Sequence, residues 1–233
     1  MNSEILEASF DEEEFNELIE TLKNGDRDKV PFAVIRLIAL GTKVVTPLIE
    51  LLRNRNYAPI SLDVAYIVGH IGTPALEKLL KALKDRNSFM RAGAATALGL
   101  LPITHIEVSP ALIGALNDKA SRVRTNAARS LGRHENKEAL EPLIKALSDP
   151  NFDVRCAAAF SLGEIPDERA ITALLILLKC EEEDPEVQLA TVEALGRLGD
   201  KQALEQIKRI EEHGRYEWLR EGATQAIAAI NSQ

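Results

Sequence analysis

A segment of fourteen residues recurs along the chain, and this repetition constrains the fold more than any other feature of the sequence. Its clearest copies are SFMRAGAATALGLL from Ser88, SRVRTNAARSLGRH from Ser121, FDVRCAAAFSLGEI from Phe152 and PEVQLATVEALGRL from Pro185. The glycine of the Leu-Gly pair recurs in steps of 33, 31 and 33 residues, at Gly99, Gly132, Gly163 and Gly196. Weaker copies bring the total to seven, with Ala39, Gly69 and Ala228 in the glycine slot. Self-similarity at this period is the signature of a solenoid.

The stretches between the copies have apolar residues at helical spacing, as in PALEKLLKALKD and EALEPLIKALSD. Each repeat is therefore predicted to be a helix, a turn and a second helix formed by the recurring segment. We predict an all-α fold, a right-handed α-solenoid of about seven helix pairs. It is expected to form a single domain over residues 1–233, with second helices that start near residues 30, 60, 90, 123, 154, 187 and 219.

Three short motifs predict helix starts. Asp149-Pro150 and Asp184-Pro185 each have the pattern of an N-cap followed by proline at the first helical position. Asp11, with Glu14 three residues later, has the pattern of a capping box.

Composition agrees with a helical solenoid and narrows the classes of function. Hydrophobic residues are 45% of the chain but aromatic residues only 4%, so the core is expected to be aliphatic and rich in alanine. A net charge of −8 argues against a general nucleic-acid binder, which needs a basic face to neutralise phosphates. The sequence has no apolar run of 18 residues and no signal-peptide pattern, and its two cysteines suit a reducing compartment. We therefore expect a cytoplasmic protein with no membrane span.

A charged pairing recurs in register with the repeat. Three aspartates each precede an arginine by six residues, namely Asp85 and Arg91, Asp118 and Arg124, and Asp149 and Arg155. One interpretation is a row of arginines that bind a ligand. The other is an internal ladder, in which each arginine bonds the turn of its own or an adjacent repeat. We favour the ladder, because the pairing keeps the register of the fold.

These features together resemble a known family. The pattern DP…VR..AA..LG.I.D..A…L…L is similar to HEAT-like repeats of the phycobilisome-lyase type, most clearly from about Leu62 to Ile210. Such repeats occur in bilin lyase subunits, in phycobilisome-degradation proteins and in many unrelated scaffolds. The resemblance implies that the second helices line the concave face and that this face binds partners. It is specific for the fold and much less specific for function.

Candidate partner-binding residues follow from helical geometry. Residues three, six and ten positions after the Val, Met or Leu that precedes the arginine slot of each second helix share one face of that helix. Their side chains vary in chemistry while the neighbouring slots stay small or apolar, as expected of a ligand-facing surface on a regular scaffold. The candidates are Arg36, Asp63, Tyr66, His70, Thr96, Asn126, Arg129, Arg133, Phe160, Glu164, Glu193 and Arg197.

Several of these residues allow two interpretations. Phe160, like Tyr66, is either an aromatic anchor in a groove or a half-buried side chain between helices. Arg133, Glu164 and Arg197 alternate in sign, which favours salt pairing between repeats, whereas Arg129 and Arg36 have no obvious match. Residues 119–133 carry five basic side chains and no acid, a composition suited to carboxylates. Those carboxylates would belong to an acidic peptide or, if the family likeness extends so far, to the propionates of a bilin.

The remaining candidates point away from catalysis. A di-iron enzyme of repeat architecture, deoxyhypusine hydroxylase, uses paired His-Glu dipeptides early in its second helices. Here the single His-Glu pair, His134-Glu135, falls at a helix end, where His134 is more typical of a core side chain than of a ligand. We interpret Cys156 as a buried thiol. The segment CEEED, from Cys180 to Asp184, is interpreted as a solvated turn, with an acidic docking loop as the alternative.

The sequence thus favours a non-catalytic protein-binding scaffold with no metal and no required cofactor. It contains no motif that decides whether the protein is also an enzyme. The alternative is a phycobilin lyase subunit or a chaperone that handles phycobiliproteins, in which a bilin would be bound. A third hypothesis is a scaffold for metal-cofactor assembly involving Cys156 or Cys180.

Overall fold

A computed structural model describes residues 11–102, 105–133, 137–180 and 183–232. Within these ranges the regular structure is helical and contains no strand. The α-helices are α1 (Glu12–Asn24), α2 (Val30–Leu40), α3 (Thr42–Leu51), α4 (Ser61–Ile71), α5 (Leu76–Ala82), α6 (Ser88–Leu98), α7 (Val108–Ala115), α8 (Ser121–Arg133), α9 (Leu140–Ala146), α10 (Phe152–Leu162), α11 (Glu168–Leu178), α12 (Pro185–Leu198), α13 (Leu204–His213) and α14 (Glu217–Asn231). None of them is long and apolar enough to cross a membrane.

The helices form consecutive pairs, from α1 with α2 to α13 with α14, and the even-numbered member of each pair is the second helix. The predicted fold class, an all-α solenoid of about seven helix pairs, is confirmed. The pairs group into two compact units: an N-terminal unit, Met1–His105, with α1 to α6, and a C-terminal unit, Ile106–Gln233, with α7 to α14. That the seven pairs act as a single domain stays a prediction.

In the C-terminal unit the second helices pack side by side, in the order α8, α10, α12 and α14. Small residues permit this close approach. A Cβ added to Gly132 would lie 2.5 Å from Ser161 Oγ, and one added to Gly163 would lie 2.8 Å from Ala194 Cα. The Ser161 hydroxyl donates to the Ala128 carbonyl across the same contact, at 2.9 Å. The recurring glycine therefore marks the place where neighbouring second helices touch.

The arginine ladder is confirmed. Nη1 of each ladder arginine donates to the carbonyl of the aspartate six residues earlier, at 2.9 Å for Arg91, 2.8 Å for Arg124 and 2.8 Å for Arg155. Arg220 makes the same bond to the Gly214 carbonyl at 2.8 Å. The sequence pattern did not predict this bond, because the residue six positions before Arg220 is a glycine and not an aspartate. Each arginine thus closes the turn that precedes its own second helix.

Two ladder arginines also reach the next repeat. Arg124 Nε and Nη2 each lie 2.7 Å from a carboxylate oxygen of Asp149. Arg155 Nη2 lies 2.7 Å from Glu183 Oε1. The same side chains therefore cap a turn and join successive helix pairs.

Two of the predicted caps are observed. Asp11 Oδ1 accepts from Glu13 N at 2.9 Å, and Asp184 Oδ1 accepts from Glu186 N at 3.3 Å. The prediction that Asp149 caps α10 is wrong. Asn151 is the N-cap, with its side chain accepting from Val154 N at 3.3 Å, because α10 begins at Phe152, and the Asp149 carboxylate accepts from Asn151 N in the preceding turn.

Candidate functional site

The exposed face of α8, α10 and α12 in the C-terminal unit encloses a groove of about 580 Å³. We call it the second-helix groove. It is lined by Arg129, Gly132, Arg133, Cys156, Ala157, Phe160, Glu164 and Ala190. Four of the predicted partner-binding residues, Arg129, Arg133, Phe160 and Glu164, therefore share one concave surface. That this surface binds a partner stays a prediction.

Arg129 and Arg133 form the basic wall of the groove. They stand one helical turn apart on α8, and both side chains are exposed. Neither makes a side-chain hydrogen bond or an ion pair with any residue in the described ranges. The expected pairing of Arg133 with Glu164 is therefore wrong within those ranges, because Arg197 takes the Glu164 carboxylate.

Phe160 forms a second wall of the groove, on α10, and Arg197 of α12 packs on its ring from outside the groove lining. The Arg197 guanidinium lies 4.4 Å from the centre of the Phe160 ring, and its Nη2 donates to the Phe160 carbonyl at 3.3 Å. Arg197 Nε lies 3.1 Å from Glu164 Oε1, so the predicted pairing of these two residues is confirmed. Phe160 is 43% exposed. Arg197 thus covers one side of the ring, and the rest is exposed. The side chain is half-buried between helices, as one interpretation expected, and it also lines a groove, as the other expected.

The floor of the groove consists of small side chains, Gly132, Ala157 and Ala190, next to Cys156. Cys156 is half-buried rather than buried. Burial, aided by the nearby carboxylates of Asp184 and Asp153, raises the pKa of its thiol to about 11. The thiol therefore stays protonated near neutral pH and is a poor nucleophile and metal ligand there. Its place in the groove follows from helical spacing, because it precedes Phe160 by four residues.

Besides Arg197, two candidates in the C-terminal unit lie outside the groove lining. Asn126 is half-buried on α8, and Glu193 is exposed on α12. Glu193 holds the same repeat position as Phe160, one helix further along.

The candidates in the N-terminal unit occur in local pairs. Arg36 has a partner that the sequence did not indicate, since its Nη2 lies 3.1 Å from Glu14 Oε2. Tyr66 is 45% exposed, and its ring centre lies 3.8 Å from that of His70. His70 Nδ1 is 2.8 Å from the Tyr66 carbonyl oxygen.

Asp63 and Thr96 complete the candidates in this unit. Asp63 is half-buried, and burial raises the pKa of its carboxyl group. The Thr96 hydroxyl donates to the Ala92 carbonyl of its own helix at 3.2 Å. Since Tyr66 and Phe160 belong to different units, a common row containing both stays a prediction.

Other predicted features are accounted for locally or lie outside the described residues. His134 and Glu135 are outside them, as are Glu181 and Glu182 of the CEEED segment. Glu183 binds Arg155, and Asp184 caps α12, so the described part of that segment has structural partners. The described residues contain no cluster of three or more histidine, cysteine or acidic side chains arranged for a metal ion.

Comparison with known proteins agrees with the repeated helix pairs seen in the structure. The family model described as HEAT repeats matches residues 76–152, 109–183 and 140–228. In the structure of the CpcE–CpcF complex of phycocyanin lyase from Nostoc sp. PCC7120, one chain is 30% identical with a TM-score of 0.60. The match covers 67% of the present chain and 65% of that chain. The resemblance to repeats of the phycobilisome-lyase type is thereby confirmed.

More distant structures show the fold alone. The Escherichia coli protein YibA has a TM-score of 0.57 at 20% identity, over 96% of this chain and 83% of that one. An engineered protein has a TM-score of 0.54 at 20% identity, over 94% of this chain and 96% of that one. No curated protein matches the sequence significantly.

Proposed function

This chain belongs to the HEAT-repeat family, and we infer that it is a non-catalytic scaffold that binds a protein partner on the face formed by its second helices. A repeat scaffold needs no reactive group to do this, because regularly stacked helices present one continuous surface. The observation that carries the proposal is the second-helix groove, whose lining contains both Arg129 and Arg133 and the half-exposed ring of Phe160. Arginine and aromatic side chains are the residues in which binding energy concentrates at protein interfaces.

The chemistry of the groove supports binding more than catalysis. The thiol of Cys156 is held in its protonated form, and the carboxylate of Glu164 is engaged by Arg197. A cysteine nucleophile acts as its thiolate, and the raised pKa of Cys156 keeps that form scarce near neutral pH.

The test begins with capture of partners from the source organism and their identification by mass spectrometry. Affinity for the captured partner is then measured for the double variant Arg129→Glu with Phe160→Ala. We expect binding to weaken at least tenfold, or about 1.4 kcal/mol, because both walls of the groove are changed. Helix content should stay the same, since neither residue belongs to the arginine ladder.

Matched controls change charge on the first helices. Lys81→Glu on α5 and Lys145→Glu on α9 alter exposed side chains, and each should leave the affinity within a factor of about three. If these variants abolish binding while the groove variant does not, the partner binds the opposite face and the proposal is wrong.

A second function, a phycobilin lyase subunit or a chaperone for phycobiliproteins, is favoured by one observation. The phycocyanin lyase chain is 30% identical over two thirds of the present sequence. Arg129 and Arg133 would then bind the propionates of a bilin. Incubation with a bilin, followed by absorbance, separates the two functions. A shifted and intensified bilin band that Arg129→Ala with Arg133→Ala abolishes supports the lyase-type function, and an unchanged spectrum supports the scaffold.

A further inference from the structure

We propose that the second-helix groove recognises an acidic segment of a partner protein. One carboxylate would lie between Arg129 and Arg133, and an adjoining apolar side chain would cover the floor formed by Gly132, Ala157 and Ala190. The inference rests on the proposed function, because it specifies the chemistry of the partner that the scaffold binds.

The balance of charge in the groove is the first argument. Three charged side chains line the groove, and Glu164 is neutralised by Arg197. Arg124, also on α8, is neutralised by Asp149. The guanidinium groups of Arg129 and Arg133 are the charges left without an ion pair among the described lining residues. The chain as a whole, with a net charge of −8, repels an acidic partner, and these two guanidinium groups attract one locally.

The spacing of the two arginines is the second argument. They are four residues apart on α8, so their side chains emerge from neighbouring positions on the helix surface. A carboxylate has two oxygens, and each can accept hydrogen bonds from a planar guanidinium group. Two neighbouring guanidiniums can therefore hold one carboxylate in a defined place, which a single exposed lysine cannot do.

The floor supplies the apolar half of the recognition. Gly132, Ala157 and Ala190 present no side-chain polar atom, and the Cys156 thiol next to them is uncharged near neutral pH. An apolar side chain placed there removes both surfaces from water without leaving a polar group unpaired. The open edge of the Phe160 ring adjoins the same floor.

The far side of the groove gives the segment a direction. Glu193 is exposed on α12, outside the groove lining, and disfavours a second carboxylate at that end, where the positive charge of Arg197 is already paired with Glu164. The acidic end of the segment is therefore expected over α8, with the apolar side chain between α8 and α12. The orientation of the bound segment therefore depends on the charges at the two ends of the groove.

The experiment is a selection of displayed random twelve-residue peptides on the full chain, with the variant Arg129→Ala with Arg133→Ala as the counter-selection target. We expect enriched peptides that carry an aspartate or glutamate next to a leucine, isoleucine or phenylalanine. The best peptide, made with a fluorescent label, should bind the double variant at least tenfold more weakly by anisotropy. The matched control, Lys81→Ala with Lys145→Ala, removes the same charge from the first helices and should change its affinity less than threefold.

Cys156 reports whether the peptide occupies the groove itself. Alkylation by N-ethylmaleimide at pH 9, with the modified residue identified by mass spectrometry, should slow at Cys156 when the peptide is bound. Alkylation of Cys180, which is exposed and lies outside the groove lining, should not slow. Protection confined to Cys156 supports the inference, and equal rates with and without peptide overturn it.

The outcomes separate this inference from the proposed function. Enriched peptides without acidic residues, or peptides that bind the arginine variant equally well, overturn the acidic recognition and leave the protein-binding function standing. Failure to enrich any peptide over the counter-selection target also overturns the inference. The proposed function is overturned by a different result: unchanged affinity of the captured partner for the variant Arg129→Glu with Phe160→Ala. A groove that binds a bilin and no peptide overturns both in favour of the second function.

Discussion

At the scale of single residues, the size of a side chain decides whether neighbouring second helices can pack. Ala158 on α10 is completely buried, and α10 lies between α8 and α12. The glycines in the recurring slot leave no room for a Cβ against the next helix. Small residues in this layer are therefore packing positions, whereas the larger side chains on the exposed face are available for binding.

Ala158→Leu should destabilise the protein by about 1–3 kcal/mol, because three added carbons must fit into a closed contact between helices. Urea unfolding followed by circular dichroism measures the change. The control is Ala228→Leu on α14, which makes the same substitution at an exposed position and should cost less than about 0.5 kcal/mol. Equal stability of the two variants would show that the Ala158 slot is not closed.

The two cysteines should differ sharply in reactivity. The pKa of Cys156 is about 11, so the reactive thiolate is about a hundredfold scarcer than at the reference value of 9.0. Thiol titration at pH 8 should therefore show one fast and one slow group, with exposed Cys180 the fast one. In urea the slow group should become about a hundredfold faster. Two equal rates in the folded protein would contradict the assigned environment of Cys156.

At the scale of helices and turns, the arginine ladder joins local structure to stacking. Arg124 closes the turn before α8 through the Asp118 carbonyl and reaches the Asp149 carboxylate before α10. Both ionised side chains are largely buried, with 13% and 10% of their surfaces exposed. Removal of one partner leaves the other charged group poorly solvated.

Arg124→Ala should therefore cost about 3 kcal/mol of unfolding free energy, the lower end of the range for a broken buried ion pair. Arg129→Ala, which removes an exposed arginine without an ion pair in the described ranges from the same helix, is the control and should cost much less. The measurement is again urea unfolding. A loss for Arg124→Ala no larger than that of the control would mean that the ladder contributes little to stability.

The same ion pair predicts a dependence on pH. Burial opposes ionisation of Asp149, but hydrogen bonds from Arg124 and Asn151 outweigh it and hold the pKa of the Asp149 carboxyl below its usual value. A lowered pKa in the folded state contributes stability above the unfolded pKa of about 3.9, and this is lost as pH falls through the folded value. The stability difference between wild type and Asp149→Asn should therefore shrink below about pH 4. A constant difference from pH 6 to pH 3 would contradict this assignment.

At the scale of the whole molecule, each compact unit has a buried apolar core of its own. The C-terminal unit also contains the entire second-helix groove and ion pairs that join its successive repeats, among them Arg124–Asp149, Arg155–Glu183, Arg169–Glu141 and Arg197–Glu164. The helices that form the candidate site are therefore held in place by contacts within the C-terminal unit.

A polypeptide of residues 106–233 should fold alone and unfold in a single cooperative thermal transition, because its helix pairs stack on one another. Circular dichroism and the slow reaction of the Cys156 thiol are the two measurements. A polypeptide that is helical but melts without a cooperative transition, with Cys156 reacting quickly, would show that the core of this unit is incomplete by itself.

The sequence by itself determined the helix pairs, the register of the repeat, the small-residue slots and a ladder of arginines bonded to turns, but it left open whether each arginine bonds its own turn or an adjacent one. These features depend on short-range geometry, so a repeated spacing is sufficient to specify them. It also placed Arg129, Arg133, Phe160 and Glu164 on matching faces of their helices.

Only the tertiary structure decided which partner each charged side chain takes. Arg124 binds Asp149 of the next repeat, Arg36 binds Glu14, and Arg197 takes Glu164 while covering Phe160. Several partners lie within reach of a long side chain on neighbouring helices, and the choice among them depends on distances of a few ångströms that the repeat period does not specify. The same distances leave Arg133 without Glu164 and bring side chains of α8, α10 and α12 into one groove lining.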